Sequence, residues 1–321
     1  MNNNINFIRE KINAVKNIVI AGHTNPDADA IGACIAFYYA LKQKDKNVYL
    51  ILEDYSEKFN FIPGKENLYI GDYNNIEADL FISLDCGDLD RLGSIKEIFN
   101  KMETINIDHH ISNNNFADIN YVDINSSSTS EIVYNILNNW CIIDNNIAAC
   151  IYAGLLNDTG GFRYTNTTSR TLSIASEILK YKFDFTNIYN TLFYSRSFLE
   201  IKLMGEALIN SELLFNNKFV FSYLSYETIN KYNATYKEVN GISEYLKGVS
   251  NTMISAFLYE KNRNEVKVSL RSEDVFDSAK FAMNFNGGGH KKAAGFTLNC
   301  TIDEACTLVR SEILDKLKNI L

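Results

Sequence analysis

The chain has 321 residues but only two prolines, Pro26 and Pro63. This scarcity excludes a proline-rich linker or recognition tract. No apolar run approaches the ~20 residues that cross a bilayer, and the N-terminal residues lack the basic and apolar regions of a signal peptide. The six cysteines form no C-x-x-C pair, so reduced, packed thiols are expected. We therefore expect a cytoplasmic protein with no membrane partner.

Charge of positive sign is also scarce in the first part of the chain. Residues 1–210 contain 17 Lys and Arg against 26 Asp and Glu, while residues 211–321 contain 14 against 13. A duplex-binding protein carries a basic surface, so we exclude duplex nucleic acid as a partner. The acidic excess is consistent with a solubilising surface or with carboxylates that bind cations.

Short apolar runs alternate with helical patterns over the first half of the chain. The apolar runs predict strands over residues 17–21, 48–52, 79–84 and 104–107. Helical patterns follow at residues 30–42, 130–138 and 145–156. Such alternation is typical of an α/β fold with a parallel sheet, in which ligands bind beyond the carboxyl ends of the strands. Polar residues directly after the strands are therefore the candidates for a functional site.

The length and a change of pattern predict two domains. We expect a parallel-sheet N-terminal domain over residues 1–185 and a helical linker over residues 186–210. The linker belongs to a stretch, 169–209, that is predicted to be helical throughout. Residues 211–321 are expected to form a smaller α/β domain that binds substrate, with strands at 218–224, 253–259 and 266–271.

The histidines of the chain are few and stand in similar places. They are His23, His109, His110 and His290. The first three follow predicted strands, and His290 follows three glycines. A lone histidine is more often structural than a ligand, but all four of these lie in loops beside carboxylates or glycines. This placement favours a functional role.

Carboxylates accompany these histidines at the strand ends. Asp27 and Asp29 follow the first strand, in a segment that Pro26 keeps as a loop. On extended backbone the two carboxylates would face different cations, whereas the simpler alternative makes Asp29 a helix N-cap. Asp85 follows the third strand. Asp158 closes an apolar helix, where a negative charge is disfavoured unless a cation compensates it.

Two histidines and four carboxylates thus come from three strand ends and one helix end. These residues are His23, Asp27, Asp29, Asp85, His109 and Asp158. Mixed nitrogen and oxygen donors suit Mn²⁺ and similar divalent metals better than a structural zinc. Two such metals ~3.5–4 Å apart, sharing a carboxylate and a hydroxide, form a site for phosphoryl transfer.

Four segments and a glycine motif resemble, in order, the motifs of the DHH phosphoesterases and of their associated C-terminal domain. They are H-T-N-P-D-A-D-A-I-G, S-L-D-C-G-D, I-D-H-H, N-D-T-G-G-F and G-G-G-H-K-K-A-A-G. The length is similar to that of the oligoribonuclease branch, whose members also dephosphorylate 3′-phosphoadenosine 5′-phosphate. The glycine motif argues against the pyrophosphatases of this family, and the length argues against its longer RecJ-like exonucleases.

The resemblance implies two divalent metal ions, expected to be Mn²⁺. One metal would be held by His23, Asp27 and Asp85. The other would be held by Asp29, Asp85, His109 and Asp158. Asp85 would therefore bridge the two metals.

The resemblance also implies three catalytic residues, Asp85, Asp108 and His110. Asp108 would orient a histidine from behind. His110 would face the substrate phosphate and give a hydrogen bond or a proton to the leaving oxygen.

Substrate contacts are implied in both parts of the chain. Arg163 lies in a G-F-R-Y string, and Arg271 matches a position that binds phosphate in relatives. Arginine suits that role because its planar guanidinium binds phosphate through two points. The loop Gly287-Gly288-Gly289 offers unobstructed backbone N–H groups, and His290 completes this expected clamp.

A further segment, Ser128–Glu131, has the S-x-x-E pattern of a capping box. The pattern predicts the start of a helix. The N-terminus of that helix is also able to face phosphate.

The expected function is a manganese-dependent phosphoesterase acting on single-stranded oligonucleotides of about two to five nucleotides, because the chain offers point contacts rather than an extended cationic track. A nucleotide bisphosphate such as 3′-phosphoadenosine 5′-phosphate also fits. Alternatives are a cyclic di-AMP or pApA phosphodiesterase, a RecJ-like single-strand exonuclease and, without catalysis, a metal-dependent nucleotide-binding module. The oligomeric state stays open, with a homodimer among the candidates.

Overall fold

A computed structural model describes residues 4–53, 55–239 and 241–320 of the chain. The chain divides into two units, Met1–Ser195 and Arg196–Leu321. The division falls inside the stretch predicted to be a helical linker, and the domain boundaries given above stay a prediction.

The first unit is built from strands and helices in alternation. In chain order they are α1 Ile5–Ala14, β1 Asn17–Ala21, α2 Ala28–Gln43, β2 Asn47–Ile51, β3 Leu80–Leu84, α3 Lys96–Phe99, β4 Glu103–Asp108, β5 Ile119–Val122, α4 Thr129–Leu137, α5 Asn145–Thr159, α6 Ser169–Ile178 and α7 Phe185–Phe193. Short 3₁₀ turns lie at Glu57–Phe59, Lys65–Asn67, Tyr73–Asn75 and Leu89–Ile95.

The strands of this unit form a sheet in the order β2-β1-β3-β4-β5. All neighbouring pairs are parallel. The central β1 and β3 are buried on both faces, as expected for apolar runs covered on both sides. The predicted parallel sheet is confirmed. Strand β5 was not predicted, because its sequence Ile119-Asn120-Tyr121-Val122 is half polar and it lies at the edge of the sheet.

Helices α2 and α5 pack closely on one face of this sheet. A Cβ atom on Gly32 would lie only 2.3 Å from the carbonyl oxygen of Cys150, so glycine is required where the two helices meet. This packing brings the start of α2 near the end of α5. The opposite face of the sheet is covered by a cluster that includes Val19, Phe81 and Phe99.

The second unit contains the remaining elements. They are α8 Phe198–Ile209, β6 Glu212–Leu214, β7 Phe219–Leu224, α9 Tyr226–Lys231, α10 Ile242–Lys247, β8 Ile254–Asn262, β9 Glu265–Ser272, α11 Ser278–Met283, β10 Gly288–His290, β11 Ala293–Leu298 and α12 Ile302–Ile320, with a 3₁₀ turn at Tyr236–Glu238. The strand order is β10-β11-β9-β8-β7-β6. Only the β7–β8 pair among these described strands is parallel. Residues of α11 and α12 pack on one face, and residues of α8 and α10 pack on the other. The unit is therefore α/β, as predicted.

Two expectations about local structure are wrong. The stretch 169–209 is not helical throughout, because Thr168, Asp184 and Ser197 each cap a new helix within it. The glycines at 287–289 do not form a simple loop, because residues Gly288–His290 pair with β11 as an antiparallel strand. Within the described residues, no helix combines the length and apolar character that a membrane crossing demands.

Candidate metal centre

Candidate ligands meet at the carboxyl edge of the parallel sheet. His23 follows β1 and Asp85 follows β3, while His109 directly follows β4. Asp158 lies in the last turn of α5. Because the strands are parallel and neighbours in the order β1-β3-β4, their ends lie side by side.

The structure brings all six predicted ligands together. One group joins His23, Asp27 and Asp85, and another joins Asp29, His109 and Asp158, with the ligand atoms of each group within 4.8 Å of one another. Asp85 connects the groups, since its Oδ2 lies 3.6 Å from Nε2 of His23 and its Oδ1 lies 3.6 Å from Nε2 of His109. The assignment of these residues as ligands stays a prediction.

His23 and His109 each present Nε2 to the carboxylates. Nδ1 of His23 lies 2.8 Å from the carbonyl oxygen of Thr24, which fixes the ring and leaves Nε2 as the ligand atom. Nε2 of His109 lies 3.1 Å from Oδ2 of Asp158. This contact lacks hydrogen-bond alignment, so Nε2 is a buried nitrogen without a hydrogen-bond partner among the described residues. Such an atom, facing carboxylate oxygens, fits a divalent metal.

The local backbone at Asp27 and Asp29 differs from the expectation. Helix α2 begins at Ala28, so Asp27 is the N-cap and its Oδ1 accepts bonds from the N–H groups of Asp29 and Ala30 at 2.9 and 3.2 Å. The alternative that made Asp29 the cap is wrong, because the helix starts earlier than its apolar run. Only Asp27 has extended backbone, and Asp29 lies in the first helical turn.

Asp85 has a left-handed backbone conformation, with φ of 60°. This region costs most L-residues about 1–2 kcal/mol and Asp less. Strained backbone of this kind is concentrated at functional sites. Asp85 is also 2% exposed, and its Oδ1 accepts a 2.9 Å hydrogen bond from the Thr129 hydroxyl.

The first turn of α4 faces Asp29. The N–H of Thr129 donates to Oδ2 of Asp29 at 2.7 Å, and the N–H of Ser130 donates to Oδ1 at 2.9 Å. This helix N-terminus therefore binds a carboxylate of the protein. Half of the predicted capping box is present, since the Ser128 hydroxyl accepts from the N–H of Glu131. Glu131 itself does not complete the box, because its carboxylate accepts bonds from Ser127 instead.

A second chain of hydrogen bonds supports His110. Its Nδ1 lies 2.7 Å from Oδ1 of Asp108, a fully buried residue. Asn113 donates from Nδ2 to Oδ2 of Asp108 at 2.6 Å and to Oδ1 of Asn106 at 2.8 Å. The sequence interpretation missed both asparagines. The signal that could have found Asn106 is a polar residue between Ile105 and Ile107 in a predicted strand.

Without a metal, the negative charges of the clustered carboxylates repel one another. Burial raises the pKa of Asp27, and the charges of Asp85 and Asp158 raise it further. Burial and the same two neighbours raise the pKa of Asp29 well above its usual value. A divalent cation would relieve this repulsion.

The pKa values of His109 and Asp85 shift in the directions that favour the charged form of each group. Burial lowers the pKa of His109, but Asp158 and the charges on Asp29 and Asp85 outweigh burial and raise it to about 10. Burial would raise the pKa of Asp85, yet the hydrogen bond with His23 and the charge of His109 hold it below its usual value. Asp85 is thus the carboxylate kept ionised at the centre.

The structure also locates the residues that are predicted to contact substrate. Arg163 lies just after α5 and is exposed, outside the groups of potential metal ligands described above. In the second unit, Nη2 of Arg271 lies 2.8 Å from Oε1 of Glu244, so an ion pair holds its guanidinium. His290 lies on the exposed strand β10.

The glycine strand borders a groove of about 730 Å³ in the second unit, and its lining includes Lys267, Ser269, Asn286, Gly287, Gly288 and Thr297. The N–H of Gly287 is donated to the carbonyl oxygen of Ala282, so the expected cradle of three free N–H groups is wrong at this glycine. Gly288 differs from its neighbours, since no atom of the described residues lies within 4 Å of the position its Cβ would take.

Histidine and aspartate donors that converge at the carboxyl edge of a parallel α/β sheet form a set of groups that suits a divalent metal. The chain belongs to the DHH family: the model of the DHH family N-terminal domain matches residues 17–155, and that of the DHHA1 domain matches residues 216–319. It is therefore a phosphoester hydrolase, and the predicted family is confirmed.

Relatives of known name support this family. A bifunctional oligoribonuclease and PAP phosphatase NrnA of Thermus thermophilus is 30% identical over 97% of this chain and 94% of its own length. A probable protein of the same name from Streptococcus mutans is 30% identical over 98% of each chain. The Bacillus subtilis NrnA is 26% identical over 88% of this chain and 89% of its own length.

Solved structures agree with the fold. An exopolyphosphatase-related protein from Bacteroides fragilis superposes with a TM-score of 0.86 at 29% identity, covering 98% of this chain and 96% of that one. RecJ of Thermus thermophilus with Mn²⁺ gives a TM-score of 0.52 at 14% identity, covering 96% of this chain and 53% of RecJ. The second likeness shows the fold alone.

Proposed function

We propose that the protein is a Mn²⁺-dependent, two-metal phosphoesterase that hydrolyses oligonucleotides of about two to five nucleotides to mononucleotides. We include 3′-phosphoadenosine 5′-phosphate among its substrates, with AMP as the product. The observation that carries the proposal is the place of Asp85, which belongs to the group with His23 and Asp27 and whose Oδ1 lies 3.6 Å from Nε2 of His109 in the other group. The oligoribonuclease and PAP phosphatase activities for which these relatives are named favour the substrate class.

The ligands divide as the family resemblance implies. His23, Asp27 and Asp85 would hold one metal, and Asp29, His109 and Asp158 would hold the other together with Asp85. Bound metals would supply an activated water and a counter-charge for the phosphoryl group. The donors contain nitrogen and carboxylate oxygen without thiolate, which suits Mn²⁺.

His110 is the residue proposed to protonate the leaving oxygen. The hydrogen bond to Asp108 raises the pKa of His110, against burial, and the Asp108 charge adds to it. With Nδ1 turned to Asp108, the proton on Nε2 is available to a leaving alkoxide. Water adds to phosphorus and releases one proton to the solvent, the ester P–O bond breaks, and the leaving oxygen takes the proton from Nε2 of His110. Asp108 holds the ring and stabilises its cationic form.

Substrate binding is proposed for Arg163, Arg271, the glycines 287–289 and His290. Arg271 supplies a permanent charge for phosphate, and release from Glu244 would free its guanidinium. Gly288 offers bare backbone beside the groove. These are point contacts, which suit a short ligand better than a long strand.

Product analysis tests this function directly. The purified protein would receive a 5′-phosphorylated dinucleotide, a pentanucleotide, a strand of about 24 nucleotides, 3′-phosphoadenosine 5′-phosphate or cyclic di-AMP. Each would be incubated with Mn²⁺ and with a chelator. We expect mononucleotides from the short oligomers and AMP from the bisphosphate, only with Mn²⁺. Efficient loss of the long strand, cleavage of cyclic di-AMP alone, or binding without any product would each contradict the proposal.

A further inference from the structure

The first turn of α4 holds two of the proposed metal ligands from behind. Thr129 contributes its hydroxyl to Asp85 and its N–H to Asp29, and Ser130 adds a second N–H to Asp29. These three bonds measure between 2.7 and 2.9 Å. The orientation of both carboxylates therefore depends on where this turn lies.

The position of that turn depends in part on Glu131, which is 0% exposed. Its Oε2 accepts hydrogen bonds from the hydroxyls of Ser127 and Thr171, both at 2.7 Å. Its Oε1 accepts a bond from Nε of Arg170 at 2.5 Å. A buried carboxylate without a cation would be strongly unfavourable. Arg170 therefore supplies the opposite charge that pairs with the buried carboxylate of Glu131.

Arg170 also reaches the segment before α4. Its Nη2 donates to Oδ2 of Asp123 at 3.1 Å and to the hydroxyl of Ser126 at 2.9 Å. Asn166, on the same approach to α6, donates from Nδ2 to the carbonyl oxygens of Ser127 and Asp158. The N-terminal end of α6 thus holds the residues on both sides of the α4 start.

Stability alone does not account for this ion pair. Arg170 lies in the first turn of α6, where the helix dipole disfavours a positive charge. Arg170 is 44% exposed although Glu131 is fully buried, so replacement of this ion pair by apolar side chains of similar size would cost little stability. Such a replacement would, however, lose the orientation of the donor groups on Thr129 and Ser130 at the start of α4.

We propose that Arg170 and Glu131 are positioning residues of the metal centre. Their ion pair fixes the first turn of α4, so that Thr129 and Ser130 hold Asp85 and Asp29 in the orientation that metal binding requires. This inference rests on the proposed metal centre and adds residues that lie outside its ligand set.

The two metals depend on this support to different degrees. The metal assigned to Asp29, Asp85, His109 and Asp158 uses both carboxylates that α4 holds. The metal assigned to His23, Asp27 and Asp85 uses only one of them. Loss of the Arg170–Glu131 ion pair is therefore expected to weaken the site that contains Asp29 more than the site that contains His23.

The decisive experiment measures Mn²⁺ binding in Arg170→Met by titration calorimetry, with electron paramagnetic resonance to count coupled metal pairs. Loss of groups behind metal ligands lowers affinity by about 10–100-fold, and we expect a loss of that size at one of two sites. Lys180→Met is the matched control, since it removes an exposed ion pair with Glu177 just beyond α6. It should bind both metals as the wild type does.

A second pair of variants decides the question if Arg170→Met fails to fold. Thr129→Val removes the hydroxyl bond to Asp85 while keeping the size of the side chain, and Thr129→Ser keeps the hydroxyl. We expect weakened binding and a loss of the coupled-pair signal in Thr129→Val, with rescue in Thr129→Ser. Wild-type affinity at both sites in Thr129→Val, or in a folded Arg170→Met, would overturn the inference. A wild-type protein that binds no Mn²⁺ would instead overturn the metal centre itself, and this inference with it.

Discussion

Nδ1 of His110 lies 2.7 Å from Oδ1 of Asp108, which is fully buried. This contact points the other ring nitrogen away from the protein carboxylate, and it favours the charged form of the ring. With Nδ1 held by Asp108, Nε2 is the ring nitrogen left open, and in the charged form of the ring it can give a proton to a leaving group.

Substitution of His110 tests this role through the leaving group. His110→Gln should lower kcat by about 10²–10⁴-fold on a dinucleotide, whose leaving alkoxide needs a proton. A nucleoside p-nitrophenyl phosphate, whose leaving phenolate needs none, should lose far less. Steady-state kinetics on the two esters measures the difference. Asp108→Asn should show the same bias to a smaller extent, and an equal loss on both esters would contradict proton donation.

Replacement of the shared carboxylate tests the two-metal centre. Asp85→Asn should lower activity with Mn²⁺ by about 10³-fold or more, because several kcal/mol of charge stabilisation depends on the metals. Asparagine tolerates the left-handed backbone of this position, so the fold should remain.

The matched control is Asp88→Asn in the same segment. Asp88 caps a 3₁₀ turn by accepting the N–H of Arg91 at 3.0 Å, and asparagine is an equally good cap. Near-normal turnover in Asp85→Asn, measured beside this control, would rule out Asp85 as a ligand shared by two metals.

Metal binding should release protons. In the metal-free protein the pKa of His109 is raised to about 10, so the ring is protonated at pH 7, whereas a metal ligand must be neutral. Affinity for Mn²⁺ should therefore rise as the pH increases from 6 to 8, by up to tenfold per pH unit for each proton displaced.

Calorimetry in buffers of different ionisation enthalpy measures that release. We expect about one proton or more per protein at pH 7. His290→Asn, outside the metal centre, should leave the release unchanged. If Mn²⁺ binding were independent of pH, metal binding would not remove a proton from His109, and the prediction would be wrong.

The sequence predicted the strand ends well and the surroundings of the ligands poorly. His23 and Asp85 follow apolar runs that can be recognised in the sequence as strands. Because the ends of parallel strands lie at one edge of the sheet, these residues are expected to meet there. The Ser128–Glu131 pattern predicted the helix start that carries the donors on Thr129 and Ser130, but it did not predict which carboxylates they hold. Gly288–His290 looked like a loop because glycine is common in turns, but pairing with β11 decides its conformation.

Gly288 is the position at which the second unit can be tested without disturbing its fold. A Cβ on Gly289 would lie 2.5 Å from the carbonyl oxygen of Ala293, so that glycine is needed by the strand pair. A Cβ on Gly288 meets no described atom within 4 Å, yet it would project beside the groove. The proposed approach of a ligand to the backbone of Gly288 would account for a glycine at this position.

Gly288→Ala should therefore raise KM for a dinucleotide about tenfold, equivalent to ~1.4 kcal/mol of binding, with an unchanged free energy of unfolding. Gly205→Ala is the matched control, because Gly205 in α8 is likewise free of described atoms around its Cβ position. Alanine there should stabilise the protein by about 0.5–1 kcal/mol and leave KM unchanged. Steady-state kinetics and denaturant unfolding of both variants test this prediction. A wild-type KM in Gly288→Ala would show that the glycine strand is not part of the substrate site.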